Sequence, residues 1–166
     1  MAGYTPPPAA AAAVAKFKTI RRTAGNLLLL SNAAWADLPT IAATWDLALA
    51  AVVGDVIRAE LSGMWNNDAA WGGLDVATIV AAAPVNYFGG TGLGTDNGVG
   101  GWTAPTLAYQ PLGGAAFRTM VAGDLAAGQV TCRLRYRSIT AGNRTLNADA
   151  ATPLAFTLTN LGPVAV

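Results

Sequence analysis

The chain has 166 residues, of which 53% are hydrophobic and only 11% charged, and its net charge is +1. That length holds one domain with a real core and a short extension, and the near-neutral balance excludes broad electrostatic attraction to nucleic acid or to an anionic membrane. With no histidine and a single cysteine, Cys132, the chain has no Ser-His-Asp or Cys-His site and no internal disulfide. An average soluble domain carries about 25% charged residues, so this surface is short of charge, and copies of the same chain are expected to cover part of it.

Residues 1–16 read as an N-terminal arm and residues 17–166 as a β-sandwich. Pro6, Pro7 and Pro8 make a stiff extended piece. Pro8 can start a short helix through Ala9–Ala13 to Val14, but that helix is too short to be stable alone. The arm is therefore expected to dock on a neighbour, with Pro6, Pro7, Pro8 and Val14 as contacts. MAGYTPPP shows no basic run before an apolar stretch, so no secretory signal is read. No run approaches the about 18 apolar residues of a membrane span, and no membrane partner is expected.

From Phe17 the apolar positions repeat every second residue between turn residues. Strands are expected at Phe17–Arg22, Leu27–Leu30, Trp45–Ala50, Val56–Trp65, Leu74–Val80, Val85–Phe88, Gln129–Ser138 and Leu154–Leu161, with turns at Ala24-Gly25-Asn26 and Val53-Gly54-Asp55. Such a chain predicts an all-β fold of about eight strands, an antiparallel jelly-roll sandwich with almost no helix. In QVTCRLRYRS, Val130, Cys132, Leu134 and Tyr136 are expected to face the core. Arg133, Arg135 and Arg137 then form a stripe on the outer face. It is either solvated and paired across strands with Glu60, Asp46 or Asp75, or a contact with a partner. Gly89–Gly114 reads as one long glycine-rich connection, in which Trp102 and Tyr109 are expected to pack against a partner.

The remaining signals for chemistry are weak. Glu60 is the only glutamate, and Asp37, Asp55, Asp96 and Asp124 stand at turn-like positions, so no catalytic carboxylate pair is read. Gly92-Leu93-Gly94 begins a G-x-G, but Asn97 occupies the third glycine's place and no helix pattern follows, so no phosphate loop or cofactor site is read. Asp96-Asn97 is too few ligands for calcium, and no metal site is expected. Asn143-Arg144-Thr145 fits a glycosylation sequon but reads as a turn.

The segments TAGNLLLLSNAAWADLPT, GDVIRAELSGMWNNDA, LDVATIV, PVNYF, GGW, VAGDLAAGQVTCRLRYRS and FTLTNLGP, in this order over residues 17–163, resemble small jelly-roll proteins of actinobacterial phages and prophages. These are similar to the trimeric C1q/TNF-like jelly rolls of phage fibre heads and virion surface proteins. The resemblance implies a homotrimer on the outer surface of a virion, made in the host cytoplasm and joined to other virion proteins through the arm. It implies a non-enzymatic capsid decoration or fibre protein. The alternatives are a tail-tip or fibre head that binds a host-surface glycan through the Trp102/Tyr109 segment, and a cell-encoded carbohydrate-binding module.

Overall fold

The structure is a computed structural model that describes residues 16–30, 32, 34–39, 45–67, 72–89, 100–102, 106–138 and 144–164. Among them it is an all-β antiparallel sandwich of the jelly-roll type. The first sheet contains β1 (Lys16–Arg22), β2 (Leu27–Leu29), β5 (Asp55–Asn67), β9 (Thr106–Thr119), β12 (Arg144–Asn147) and β13 (Leu154–Pro163). The second contains β3 (Ala36–Asp37), β4 (Asp46–Ala50), β6 (Gly72–Val80), β7 (Ala83–Tyr87), β8 (Gly100–Trp102), β10 (Leu125–Ala126) and β11 (Gln129–Ser138). A single 3-10 turn, Ala122–Asp124, is the only helical segment among the described residues.

Among the described residues the strand segments number thirteen against the expected eight, in part because long strands serve two partners in succession. One edge of β5 pairs with β13 over Asp55–Ser62 and with β12 over Met64–Asn67, while its other edge pairs with β9 along nearly its whole length. The first sheet is therefore four strands wide throughout, as β1-β13-β5-β9 at one end and β2-β12-β5-β9 at the other. In the second sheet, β11 pairs with β4 and then β3 along one edge and with β10 and β6 along the other.

Alternation explains the core. Ile57, Ala59, Leu61 and Trp65 of β5, Leu154, Phe156 and Leu158 of β13, and Leu27 and Leu29 of β2 face inward from the first sheet. Leu47 and Leu49 of β4, Leu74 and Val76 of β6, and Val130, Cys132, Leu134 and Tyr136 of β11 meet them from the second. Cys132 is a buried free thiol, and burial pushes its pKa up, so it packs as a small apolar side chain. Gly63 occupies an inward position because Leu154 leaves no room there: a Cβ at Gly63 would lie 2.8 Å from Leu154 Cδ1.

One expectation is corrected. Gly89–Gly114 is not a single connection: β8 lies within it, and β9, the longest strand, begins at Thr106. β9 lacks apolar alternation, being rich in glycine and alanine and interrupted by Pro111, and it forms against the long template of β5. Pro111 is tolerated because β9 is an edge strand, paired on one side only among the described residues.

Candidate functional site: an arginine ladder on the second sheet

The outer face of the second sheet follows from register. Arg133 lies between Asp46 of β4 and Ala77 of β6, Arg135 between Asp37 of β3 and Asp75 of β6, and Arg137 opposite Gly73. Tyr87 of β7 stands beyond Ala77. Alternation along β11 thus projects the three guanidinium groups outward into a row of carboxylates and aromatic rings.

Each arginine is engaged. Arg133 grips Asp46 with two bonds, Nε to Oδ1 at 2.7 Å and Nη2 to Oδ2 at 2.8 Å, and donates a third from Nη1 to Asp37 Oδ2 at 2.9 Å. Asp46, first through the direct bond and then through its charge, with Asp37, holds the Arg133 pKa above its usual range against the opposing effect of burial. Arg135 donates from Nη2 to the Trp35 carbonyl at 2.9 Å and from Nη1 to the Tyr87 hydroxyl. Its Nε lies 2.8 Å from Asp37 Oδ1 without hydrogen-bond alignment, so that contact is ionic. Arg137 stacks on Trp35, 4.8 Å from the ring centroid, and Trp35 packs against Tyr87 with centroids 5.2 Å apart.

This row is not the solvated stripe that alternation suggests. Arg137 is only 4% exposed and Asp75 only 1%, because Trp35, Tyr87 and Gly89 lie over this part of the sheet. Asp75 accepts the Val76 and Gly89 amides. Burial pushes its pKa up to about 6, against the lowering effect of those amides and of Arg137. Glu60, considered as a partner for the ladder, belongs to the other sheet and pairs with Arg58.

Beside the ladder, Asp37, Leu38, Pro39, Trp45, Asp46, Arg133 and Leu134 line a cavity of about 370 Å³. Both of its carboxylates are bound to Arg133. Among the described residues no group of three metal-ligating side chains lies close enough to hold an ion.

A second polar cluster closes one end of the core. The fully buried Asp124 carboxylate accepts bonds from Arg118, Thr78, Asn86 and the Val121 amide. Burial pushes its pKa up, yet the bonds from Asn86, Val121, Thr78 and Arg118 outweigh that and hold it below the usual carboxylate range. The cluster ties β6, β7 and β9 to the 3-10 turn and to one another.

The chain matches no family model and no curated protein.

Of the residues singled out in the sequence, the structure brings Arg133, Arg135 and Arg137 into one cluster. Trp102 stands in β8 opposite Gly72, and Tyr109 stands in β9. Pro6, Pro7, Pro8 and Val14 lie outside the described residues, as do Asp96, Asn97 and Asn143. Sequence reasoning missed Trp35, Asp37 and Tyr87 as partners of the ladder. Asp37 belongs to a two-residue strand, too short for periodicity to reveal, and the ladder's aromatic partners come from distant segments.

Proposed function

We propose that the chain is a non-enzymatic structural protein that assembles with copies of itself on the outer surface of a virion, as a capsid decoration or fibre protein. The assembly is the homotrimer that the resemblance implies, and residues 1–16 join it to other virion proteins. One observation carries the self-assembly reading. Among the described residues ten large hydrophobic side chains, from Val85 at 45% to Phe17 at 69%, are exposed, whereas the arginines of the ladder are tied up within the chain. A surface that ties up its arginines within the chain and exposes large apolar side chains suits a subunit. The chemistry agrees: the carboxylates of the ladder already hold arginines, and Asp75, the acid with the raised pKa, is buried.

Sedimentation at micromolar concentration tests self-assembly, and a stable monomer would overturn it. Density for the chain on the outside of an intact particle tests the placement.

The cavity beside Arg133 favours a second reading, a fibre head that binds a host-surface glycan. Its Asp37, Asp46 and Arg133 present the planar polar groups that bind sugar hydroxyls, and Trp45 and Leu38 form an apolar wall. Calorimetric titration with a panel of mono- and disaccharides tests it, and Arg133→Ala should abolish any heat of binding.

A further inference from the structure

We infer that residues 6–14 lie across one end of their own sandwich, over Val52, Val53, Val121, Leu161 and Val164. This contact is separate from the proposed assembly and stands without it.

Those five side chains are half of the ten large hydrophobic ones exposed among the described residues, at 48–63%. Three segments bring them to one end. The turn between β4 and β5 carries Val52 and Val53, the exit of β9 carries Val121, and the close of β13 carries Leu161, with Val164 just beyond it. Asp55 fastens the three together. Its amide donates to the Val52 carbonyl at 3.1 Å, and its carbonyl accepts the Met120 amide at 2.8 Å. Its carboxylate accepts the Val52 amide at 3.0 Å and the Asn160 side-chain amide at 2.7 Å, and Pro163 pairs with it in register. Gly54 adds a bond to the Met120 carbonyl at 2.9 Å. The end is thus a preformed platform.

Its chemistry is unusual for chain reversals, which are ordinarily polar. Within residues 51–55, 120–129 and 160–164 the charged residues are Asp55 and Asp124, and both are buried. Exposed valines scattered singly call for no explanation, but five apolar side chains grouped around a buried carboxylate do.

The occupant follows from where the chain enters and from size. β1 starts at Lys16, exposed at the rim and opposite Asn160, so residues 1–15 join the sandwich at this end, one position from Leu161. They contain no Asp, Glu, Lys or Arg, and residues 6–14 are three prolines, five alanines and Val14. An uncharged apolar segment therefore begins beside an apolar surface. Two sheets about 10 Å apart and four strands about 4.8 Å apart give this end roughly 200 Å², a quarter of what each partner contributes to a stable interface between globular proteins. A whole second subunit is poorly held on so little, whereas one extended segment fits it. Nine residues at about 3.1 Å each exceed the roughly 15 Å from β1 across to β9. The tether gives the segment an effective concentration of about a millimolar there, far above that of a separate chain in micromolar solution. Ordering the segment offsets most of what its burial contributes, so coverage rather than melting is the quantity to read. With residues 6–14 seated, residues 1–5 leave the subunit from one place, as a joint to another protein requires.

The experiment places paired cysteines in the full chain: Ala12→Cys with Val53→Cys and, as control, Ala12→Cys with Leu28→Cys, an exposed position at the far end of the first sheet. Cys132 is buried and does not compete. Circular dichroism checks that each variant folds, oxidised glutathione is added, and non-reducing electrophoresis reads the disulfide and the mass of the species that carries it. The Ala12/Val53 pair should close within one chain about tenfold faster than the control. Equal rates would overturn the inference. A disulfide that joins two chains would give this end to the arm of another copy and overturn the assignment to the chain's own. Digestion with elastase, which cuts after alanine, is a second reading that needs no cysteine. Val53→Asp combined with Leu161→Asp should speed cleavage within residues 9–15 severalfold, and an unchanged rate in the folded variant would overturn the inference as well.

Discussion

Asp75 shows how far a single side chain can depart from what its sequence position suggests. It alternates outward on β6, yet it is buried and titrates near 6, well above an unfolded aspartate at about 3.8. A carboxyl whose pKa is raised by folding costs stability when ionised. The fold should therefore gain stability as pH falls from about 7 towards 4, by up to about 3 kcal/mol from this group. Asp124 has a lowered pKa and works in the opposite sense, losing stability only as pH falls through and below the ordinary aspartate range. Thermal melts between pH 7 and 4.5 should thus rise for the wild type and stay flat for Asp75→Asn; a falling wild-type curve would contradict this. The partners in the ladder make a second test. Arg135→Ala leaves the Tyr87 hydroxyl and the Trp35 carbonyl without the donor they have here and removes an ionic contact from Asp37, and should cost about 1–3 kcal/mol in urea unfolding, more than a solvated arginine would. Leu134→Ala should cost about 2–5 kcal/mol, because Leu134 is fully buried. The inward set of β11 was legible because strand geometry allows only one face to be apolar. The burial of Arg137 was not, since the ring that covers it, Trp35, comes from a segment without periodicity about 100 residues earlier in the chain.

Among the elements, legibility followed the strength of alternation. β5 and β11 alternate cleanly and lie where expected, β5 running slightly longer. β9 was hidden because Gly113, Gly114, Ala115 and Ala116 carry no apolar period and Pro111 argues against a strand. Its existence is a property of β5, which offers it a full-length edge. The hairpins show a different kind of local conflict. The β10–β11 turn uses Ala127-Gly128 at φ 49° and 73°, with glycine in one left-handed position. The β6–β7 turn places Ala81 and Ala82 at φ 49° and 66°, with no glycine at all. Each alanine held there costs about 1 kcal/mol or more. Replacing Ala81-Ala82 with Asn-Gly should raise stability by about 1–2 kcal/mol and increase the melting temperature, with no effect on assembly. A lower melting temperature would show that this turn does more than reverse the chain.

For the whole molecule, β1 starts at Lys16, opposite Asn160, and its ladder with β13 needs nothing before that residue. Deleting residues 1–15 should therefore leave the melting midpoint nearly unchanged, and on the proposed virion role the truncated protein should fail to join particles. If the truncated chain decorates particles at full occupancy, the arm is not the anchor. Losses at the other end should be severe, because in each sheet a late strand sits between two early ones. β13 lies between β1 and β5, and β11 lies between β4 and β6. During synthesis, the first half of the chain thus emerges from the ribosome with its strands unable to find their permanent neighbours. Neither sheet closes until β11, β12 and β13 have been made, and loop closure over such distances makes folding slow. On the proposed self-assembly, copies of the chain would therefore meet only as finished sandwiches.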